Sequence, residues 1–301
     1  MTHYLAVDIG GTQIKYGLVD QAGQLLEQHK MDTQAHLGGP HILATVKDLV
    51  GKYKESSGID GVAISSAGMV DHEKGEIFYS GPQIPNYAGT KFKAVIEATF
   101  GLPCEMENDV NCAGLAKGIS GAGKDAKIVL CLTVGTGIGG CLLINKEIYH
   151  GFSNAACEVG YIPLAEGEFQ SIASTKALVS YVAELHEDSE GEWDGFRVFA
   201  EAKAGNRICQ AAIHRLVDTL CKGIASICYV VNPEVIVLGG GIMGQKEYLE
   251  PKLQMSLKQH LLPHLSEKTK LLFAEHENAA GMLGAFYHFI QKHPLDKVSY
   301  D

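Results

Sequence analysis

Two aspartates of this chain stand where an apolar strand gives way to small residues, and both are suited to phosphate chemistry. Asp8 closes the run Leu5-Ala6-Val7 and is followed by Ile9-Gly10-Gly11-Thr12, after which a second strand begins at Gln13. Glycines at that turn leave backbone N–H groups uncovered, and a nest of N–H groups beside a threonine hydroxyl holds phosphate oxygens. A carboxylate at the strand end suits a hydrated Mg²⁺, an ion that takes few protein carboxylates and keeps several waters. An ordinary hairpin with Gly-Gly at its turn accounts for the segment equally well. Asp109 follows the short strand Pro103-Cys104-Glu105-Met106-Glu107 and Asn108, and opens a helix of small residues, Cys112-Ala113-Gly114-Leu115-Ala116. Asp at such a junction is mostly a helix cap. The chemical alternative is a general base that takes the proton of an attacking hydroxyl, with Asn108 orienting the acceptor.

The glycine pattern returns twice, and this shifts the balance. The apolar strand Ile128 to Val134 runs into Gly135-Thr136-Gly137-Ile138-Gly139-Gly140, and Cys141-Leu142-Leu143-Ile144 goes straight back. A third cluster, Gly239-Gly240-Gly241, follows Val235-Ile236-Val237-Leu238. Strand–glycine–strand units in separate halves imply a duplicated fold with two phosphate-binding hairpins. Between such hairpins the base reading of Asp109 overtakes the cap. The spacing Gly135, Gly137, Gly140 also fits a dinucleotide-binding loop, but that motif requires a helix where a strand is expected. Gly239, Gly241 and Gly244 fit it too, with too little chain beyond to complete such a sheet.

A second polar cluster, His150-Gly151-Phe152-Ser153-Asn154-Ala155-Ala156-Cys157-Glu158-Val159-Gly160-Tyr161, precedes an apolar, strand-like run to Pro163. Glu158 either accepts hydrogen bonds from paired sugar hydroxyls or is a solvated loop residue. Between Ser65 and Asn86 a long exposed loop is expected, broken by Gly75, Gly81, Pro82 and Pro85. Helices are expected over His41–Glu55, Thr90–Phe100, Ile208–Val231 and Gly281–Ile290, the last with Gly284-Ala285 for close packing. His186–Asp194 reads as an acidic surface loop.

Composition sets the limits. With 301 residues, 46% hydrophobic and 20% charged, the chain predicts a globular protein of two domains. A net charge of −10 argues against nucleic acid or an anionic membrane as partner. There is neither a signal peptide nor an apolar run long enough to span a bilayer, so a cytoplasmic protein is expected. The eight scattered cysteines form no C-x-x-C pair and read as reduced core residues.

The motifs in this order resemble the ROK family of sugar kinases, over about Leu5 to Ile290. The likeness lies in Asp8-Ile9-Gly10-Gly11-Thr12, Glu107-Asn108-Asp109-Val110-Asn111, Leu132 to Gly140 and Leu238-Gly239-Gly240-Gly241-Ile242. It implies an α/β, actin–hexokinase-like (ribonuclease H-like) duplicated fold with a cleft between domains. The first domain is expected over 1–117, completed by a C-terminal helix at 285–301, and the second over 118–284. It also implies Mg²⁺-ATP as donor, Asp109 as base and a homodimer. Phosphate and ATP contacts are expected from Asp8, Gly10, Gly11, Thr12 and Lys15, from Thr133, Gly135, Thr136, Gly137 and Gly139, and from Gly240 and Gly241. Sugar contacts are expected from Asn108, Glu158, Gly68, Asn86, Tyr161 and Gln170, with Gln83 as a further loop candidate. Most members carry a histidine at the position of Tyr161 and then a zinc-binding cysteine cluster. Here the shortened stretch Leu164 to Phe169 holds no cysteine, and Gln170 stands in for a sugar-contacting glutamate, so the chain resembles the zinc-less minority and no structural zinc is expected.

The expected activity is phosphorylation of the 6-hydroxyl of a hexose or hexoside, glucose or a β-glucoside such as cellobiose being favoured. N-acetylmannosamine is the alternative acceptor. A non-catalytic sugar sensor on a kinase scaffold is the reading from another class.

Overall fold

The computed structural model describes residues 2–186, 192–274 and 279–294. Most of the acidic loop expected over His186–Asp194, and the end of the helix expected to 301, lie outside the described residues. The chain divides into two compact units. One comprises Met1–Ile119, His150–Ala155 and Asn278–Asp301; the other comprises Ser120–Tyr149 and Ala156–Glu277.

In the first unit the elements run β1 (His3–Ile9), β2 (Gln13–Asp20), β3 (His29–Asp32), α1 (Gly38–Ser57), β4 (Gly61–Ser66), β5 (Met69–Asp71), β6 (Glu76–Tyr79), α2 (Phe92–Phe100), β7 (Cys104–Asn108) and α3 (Asp109–Ile119). In the second they run β8 (Ile128–Val134), β9 (Ile138–Ile144), β10 (Glu147–Ile148), β11 (Pro163–Leu164), β12 (Gly167–Glu168), α4 (Phe169–Ala173), α5 (Thr175–His186), α6 (Gly195–Lys203), α7 (Arg207–Val231), β13 (Val235–Gly239), α8 (Lys246–His260), α9 (Pro263–Lys268) and β14 (Lys270–Phe273). The final helix, α10 (Ala280–Lys292), belongs to the first unit.

Each unit is built on a five-stranded sheet, in the order β3-β2-β1-β4-β7 and β10-β9-β8-β13-β14. The strands correspond one for one. In each, three strands joined by hairpins pair antiparallel, and the first of them pairs parallel with a fourth strand, which in turn pairs parallel with a fifth. This is the duplication that the repeated glycine turns announce.

The first sheet is buried on both faces, and the period-2 alternation of its strands decides what each face meets. Leu5, Val7, Ile9, Val62 and Ile64 pack with Ile42, Val46 and Val50 of α1 and with Phe92 and Ile96 of α2. Tyr4, Ala6 and Ala63 point the other way, to Cys112 of α3 and Met282, Ala285, Phe286 and Phe289 of α10. Helix α1 presents Ile42, Val46, Leu49, Val50 and Tyr53 on one stripe. It ends at Gly58, whose φ of 61° a side chain would oppose. The second unit closes over one large cluster in which Leu130, Leu132, Ile236 and Leu238 meet α5, α6, α7 and α8. All eight cysteines are free thiols. Among the described residues no helix is long and apolar enough to cross a membrane.

Two local expectations are corrected. The stretch from Ser65 to Asn86 is not one open loop: β5 and β6 pair antiparallel, and Val70, Ile77 and Ile84 are buried. Its glycines and prolines punctuate a hairpin and its exit, and the short apolar positions between them carry too little periodicity to be read as strands. Val159–Tyr161 is a single 3₁₀ turn rather than a strand; only Pro163–Leu164 pairs, with Gly167–Glu168.

Candidate functional site

Register aligns the polar ends of three parallel strands in the first unit. Asp8 of β1 lies opposite Ser65 of β4, and Ser65 lies opposite Glu107 of β7; one residue on, Ser66 lies opposite Asn108. The carboxyl ends of parallel strands are where open α/β sheets place ligands. The residues that end these apolar runs are therefore brought together by pairing alone.

Ser65 donates its hydroxyl to Asp8 Oδ1 at 2.6 Å. A Cβ on Gly281 of α10 would lie 2.5 Å from the Asp8 carboxyl, so glycine is what lets the helix pass the carboxylate. Burial pushes the Asp8 carboxyl above its ordinary range, against the Ser65 hydrogen bond and the charge of Lys15. Gly10 N–H donates to the Gln13 carbonyl and closes the β1–β2 turn. At Gly11 the space that a Cβ would occupy is open, and Gly11 and Thr12 are exposed.

At the β7–α3 junction the capping role falls to Asn108, which frees Asp109 from it. Asn108 Oδ1 accepts the backbone N–H groups of Val110 at 2.9 Å and Asn111 at 3.1 Å, the bonds an N-cap side chain makes. Its Nδ2 donates to the Gly68 carbonyl at 2.9 Å and to Asp109 Oδ1 at 3.0 Å. Both polar ends of Asn108 are thus engaged in shaping the junction. Asp109 Oδ1 also accepts Val110 N–H at 2.9 Å. Those bonds fall on one oxygen, so Oδ2 is the oxygen left to take a proton. Burial, then the charge of Asp8, raise the Asp109 carboxyl to about 7. A carboxylate poised near neutrality suits general-base work.

The two raised aspartates also bear on a cation. Carboxyl groups pushed up by burial, Asp109 also by the charge of Asp8, gain from a divalent ion, and Asp8 offers an oxygen beyond the one bound by Ser65. The first unit therefore fits Mg²⁺ held by Asp8, mostly through water.

Gly68 and Asn86 lie in the first unit, on the segments flanking the β5–β6 hairpin. Gly68 has φ of 94° and Asn86, exposed, has φ of 53°. Tyr87, next to Asn86, is buried, with its hydroxyl 2.6 Å from Ser66 Oγ.

In the second unit Gly135 N–H donates to the Gly137 carbonyl, and the Gly135 carbonyl accepts Thr175 N–H from the start of α5. No atom lies within 4 Å of where a Cβ on Gly135 or Gly241 would sit. Gly240, with φ of 104°, is held against the Val134 carbonyl, where a Cβ would come within 2.2 Å. The turn after β13 is thereby packed onto the end of β8 and its glycine hairpin, with Thr133 paired opposite Gly139. Gln170 reaches both Gly137 and Gly160, its Oε1 lying 2.7 Å and 3.0 Å from the Cβ positions there. Gln170 and Thr136 line a cavity of about 520 Å³ that also holds Lys176 and Arg215. Glu158 and Tyr161 are exposed, and partial burial raises the Glu158 carboxyl.

A smaller apolar pocket of about 230 Å³ is lined by Thr175, Gly195, Phe196, Gly241, Ile242 and Gln245. It lies at the third glycine turn and has the character of a site for a flat heterocycle. Uncovered glycine N–H groups and this pocket together fit a nucleoside polyphosphate.

The structure adds participants that sequence reasoning did not assign. Ser65 is a small polar residue at the end of a fully buried strand, and that contrast is its signal. Gly281 and Phe196 have none, because each acts through a partner distant in sequence. Glu107 lies within a quoted motif, yet its role emerges only in three dimensions. Its Oε1 accepts the Asn108 backbone N–H at 2.7 Å and Asn111 Nδ2 at 3.0 Å, which holds the junction from beneath.

The ROK family model matches residues 4–292. A β-glucoside kinase from Listeria monocytogenes is 33% identical over 295 residues, covering 95% of this chain and 97% of that protein. A solved Listeria monocytogenes protein, for which N-acetylmannosamine kinase activity has been suggested, shares 32% identity with a TM-score of 0.87, covering 97% of this chain and 100% of its own. A ROK glucokinase from Streptomyces griseus, solved with glucose and AMPPNP, shares 26% identity with a TM-score of 0.77, covering 94% of this chain and 97% of its own. The matched span and these likenesses show that the chain belongs to the ROK family.

Proposed function

We propose that this ROK protein is an ATP-dependent kinase that phosphorylates the 6-hydroxyl of glucose or of a β-glucoside. Sugar kinase chemistry rests on the family and on relatives named as kinases, and these set aside the sensor reading. The observation that carries the reaction is Asp109, a carboxylate raised to about 7 that Asn108 and Val110 hold through Oδ1.

In this reading Asp109 Oδ2 accepts the proton as the sugar oxygen attacks the γ-phosphate in line. Asn108 and Glu107 hold the base in position. Gly10 and Gly135 close the two turns with their own N–H groups, the N–H groups at Gly11 and Gly137, with Thr12 and Thr136, receive phosphate oxygens, and Lys15 adds a positive charge. Mg²⁺, held through Asp8, supplies charge neutralisation on the phosphates when it is bound. The Phe196–Ile242 pocket takes the adenine, with Gly240 and Gly241 at its edge. Gly68, Asn86, Glu158, Tyr161 and Gln170 are assigned to the sugar. The Listeria β-glucoside kinase supports a glucoside acceptor, and the suggested activity of the Listeria structure keeps N-acetylmannosamine as the second candidate. A cytoplasmic homodimer completes the reading.

The test is a coupled ADP-release assay with Mg²⁺-ATP across glucose, cellobiose, gentiobiose, N-acetylmannosamine, N-acetylglucosamine, mannose and fructose. Highest kcat/KM with glucose or a β-glucoside supports the proposal. A clear preference for N-acetylmannosamine replaces the acceptor, and silence with every sugar overturns the activity.

A further inference from the structure

Three histidines gather on the Glu107 carboxylate within the first unit, and the kinase reading uses none of them. Glu107 is 1% exposed and His288 3%. His150 Nε2 lies 2.5 Å from Glu107 Oε2, and His288 Nδ1 lies 3.9 Å from the same oxygen. His72 stacks on His150 with ring centroids 3.6 Å apart and meets His288 edge-on at 5.9 Å. The three rings come from the β5–β6 turn, the segment after β10 and helix α10, so only folding assembles them.

Two of their nitrogens are buried without a hydrogen-bond partner, His72 Nδ1 and His288 Nε2. A buried polar atom without a partner is costly, and a core that merely packed imidazoles would not keep two of them on one carboxylate. One ligand atom each from His72, Glu107 and His288 lie within 4.8 Å of one another.

We propose that His72, Glu107 and His288 form a binding site for a divalent first-row transition ion of the zinc class. Two imidazoles and one carboxylate suit such an ion, whereas Mg²⁺ and Ca²⁺ take oxygen donors. Metal–nitrogen bonds of about 2.0–2.1 Å place tetrahedral ligand atoms roughly 3.4 Å apart, a contraction that small ring rotations supply. His150 is the hydrogen-bond partner of the ligating carboxylate, the outer-shell contact that orients metal ligands. With Oε2 on the ion, Oε1 keeps the Asn108 N–H and the Asn111 amide. The ion thus clamps the β7–α3 junction through Glu107. The missing cysteine cluster after Tyr161 concerns the other unit and a different ligand set.

The test uses the full chain, purified without chelator from zinc-supplemented medium, with metal counted by plasma mass spectrometry. About one equivalent of zinc per chain is expected. Stripping should lower Tm by several degrees, and zinc alone should restore it. Cobalt(II) in place of zinc should give visible d–d bands without a sulfur charge-transfer band. His72→Gln, at the least buried ligand, should lose the ion and the Tm response while remaining folded by circular dichroism. His288→Asn should do the same if it folds. Protein that is metal-free as purified and unmoved in Tm by zinc or cobalt overturns the site. So does a sulfur-to-cobalt band, or full zinc content in His72→Gln. None of these readouts is kinase activity, so failure here leaves the kinase reading untouched.

Discussion

The Ser65 hydroxyl donates to Asp8 Oδ1 at 2.6 Å, across the register that pairs β1 with β4. Ser65 is fully buried, and this bond offsets part of the burial that pushes Asp8 up. Ser65→Ala removes it and leaves a small void. The variant is expected to lose about 1–2 kcal/mol of stability in denaturant. Its Mg²⁺ requirement in the ADP-release assay should rise several-fold. An unchanged Mg²⁺ dependence would detach Asp8 from the metal role.

Asp109→Asn removes the base while keeping the shape of the junction. Turnover should fall by about 10²–10⁴-fold, with nucleotide affinity by calorimetry unchanged. Activity within tenfold of the parent enzyme refutes the base assignment.

The same group sets the pH dependence. The base must be ionised, so kcat/KM should climb with pH through about 7 and level off above it. A profile flat from pH 5 to 8 contradicts a base with the raised pKa seen here.

Stability should respond in the opposite sense to catalysis. Asp109 has a folded pKa near 7 against an ordinary value of 3.8. The folded state therefore holds its proton more tightly than the unfolded chain, and the stability this confers is full at low pH and lost as pH rises toward 7. Asp109→Asn should raise stability at pH 8 by roughly 2–4 kcal/mol and change it little near pH 4. Equal denaturation midpoints for variant and parent at pH 8 would show that the carboxylate carries no such strain.

Gly281 and Gly240 are predicted to resist even alanine. At Gly281 a methyl group meets the Asp8 carboxyl at 2.5 Å, and at Gly240 it meets the Val134 carbonyl at 2.2 Å with φ of 104°. Each substitution should cost about 1–3 kcal/mol. Gly281→Ala should weaken Mg²⁺ use and Gly240→Ala should raise KM for ATP. Phe196→Ala, at an exposed side chain, should raise KM for ATP without that stability cost.

How much of this was legible beforehand depends on the range of the interaction. Sequence alone determined the two strand–glycine–strand hairpins, the helices over His41–Glu55 and Ile208–Val231, and the junction at Asp109. Hydrophobic periodicity, turn glycines and helix breakers are local signals. The segment around Asp109 read alone favoured a cap, and only the repeated hairpins tipped it to a base; sequence also hid the β5–β6 hairpin, whose strands are too short to show a period. Tertiary structure decided that Asn108 takes the cap, that Asp8 raises Asp109, and that Ser65 and Gly281 shape the Asp8 carboxylate. It also brought His72, His150 and His288 onto Glu107. The physical reason is that strand register and helix packing create these neighbourhoods, so desolvation and charge coupling arise between groups up to 273 positions apart, as Asp8 and Gly281 are.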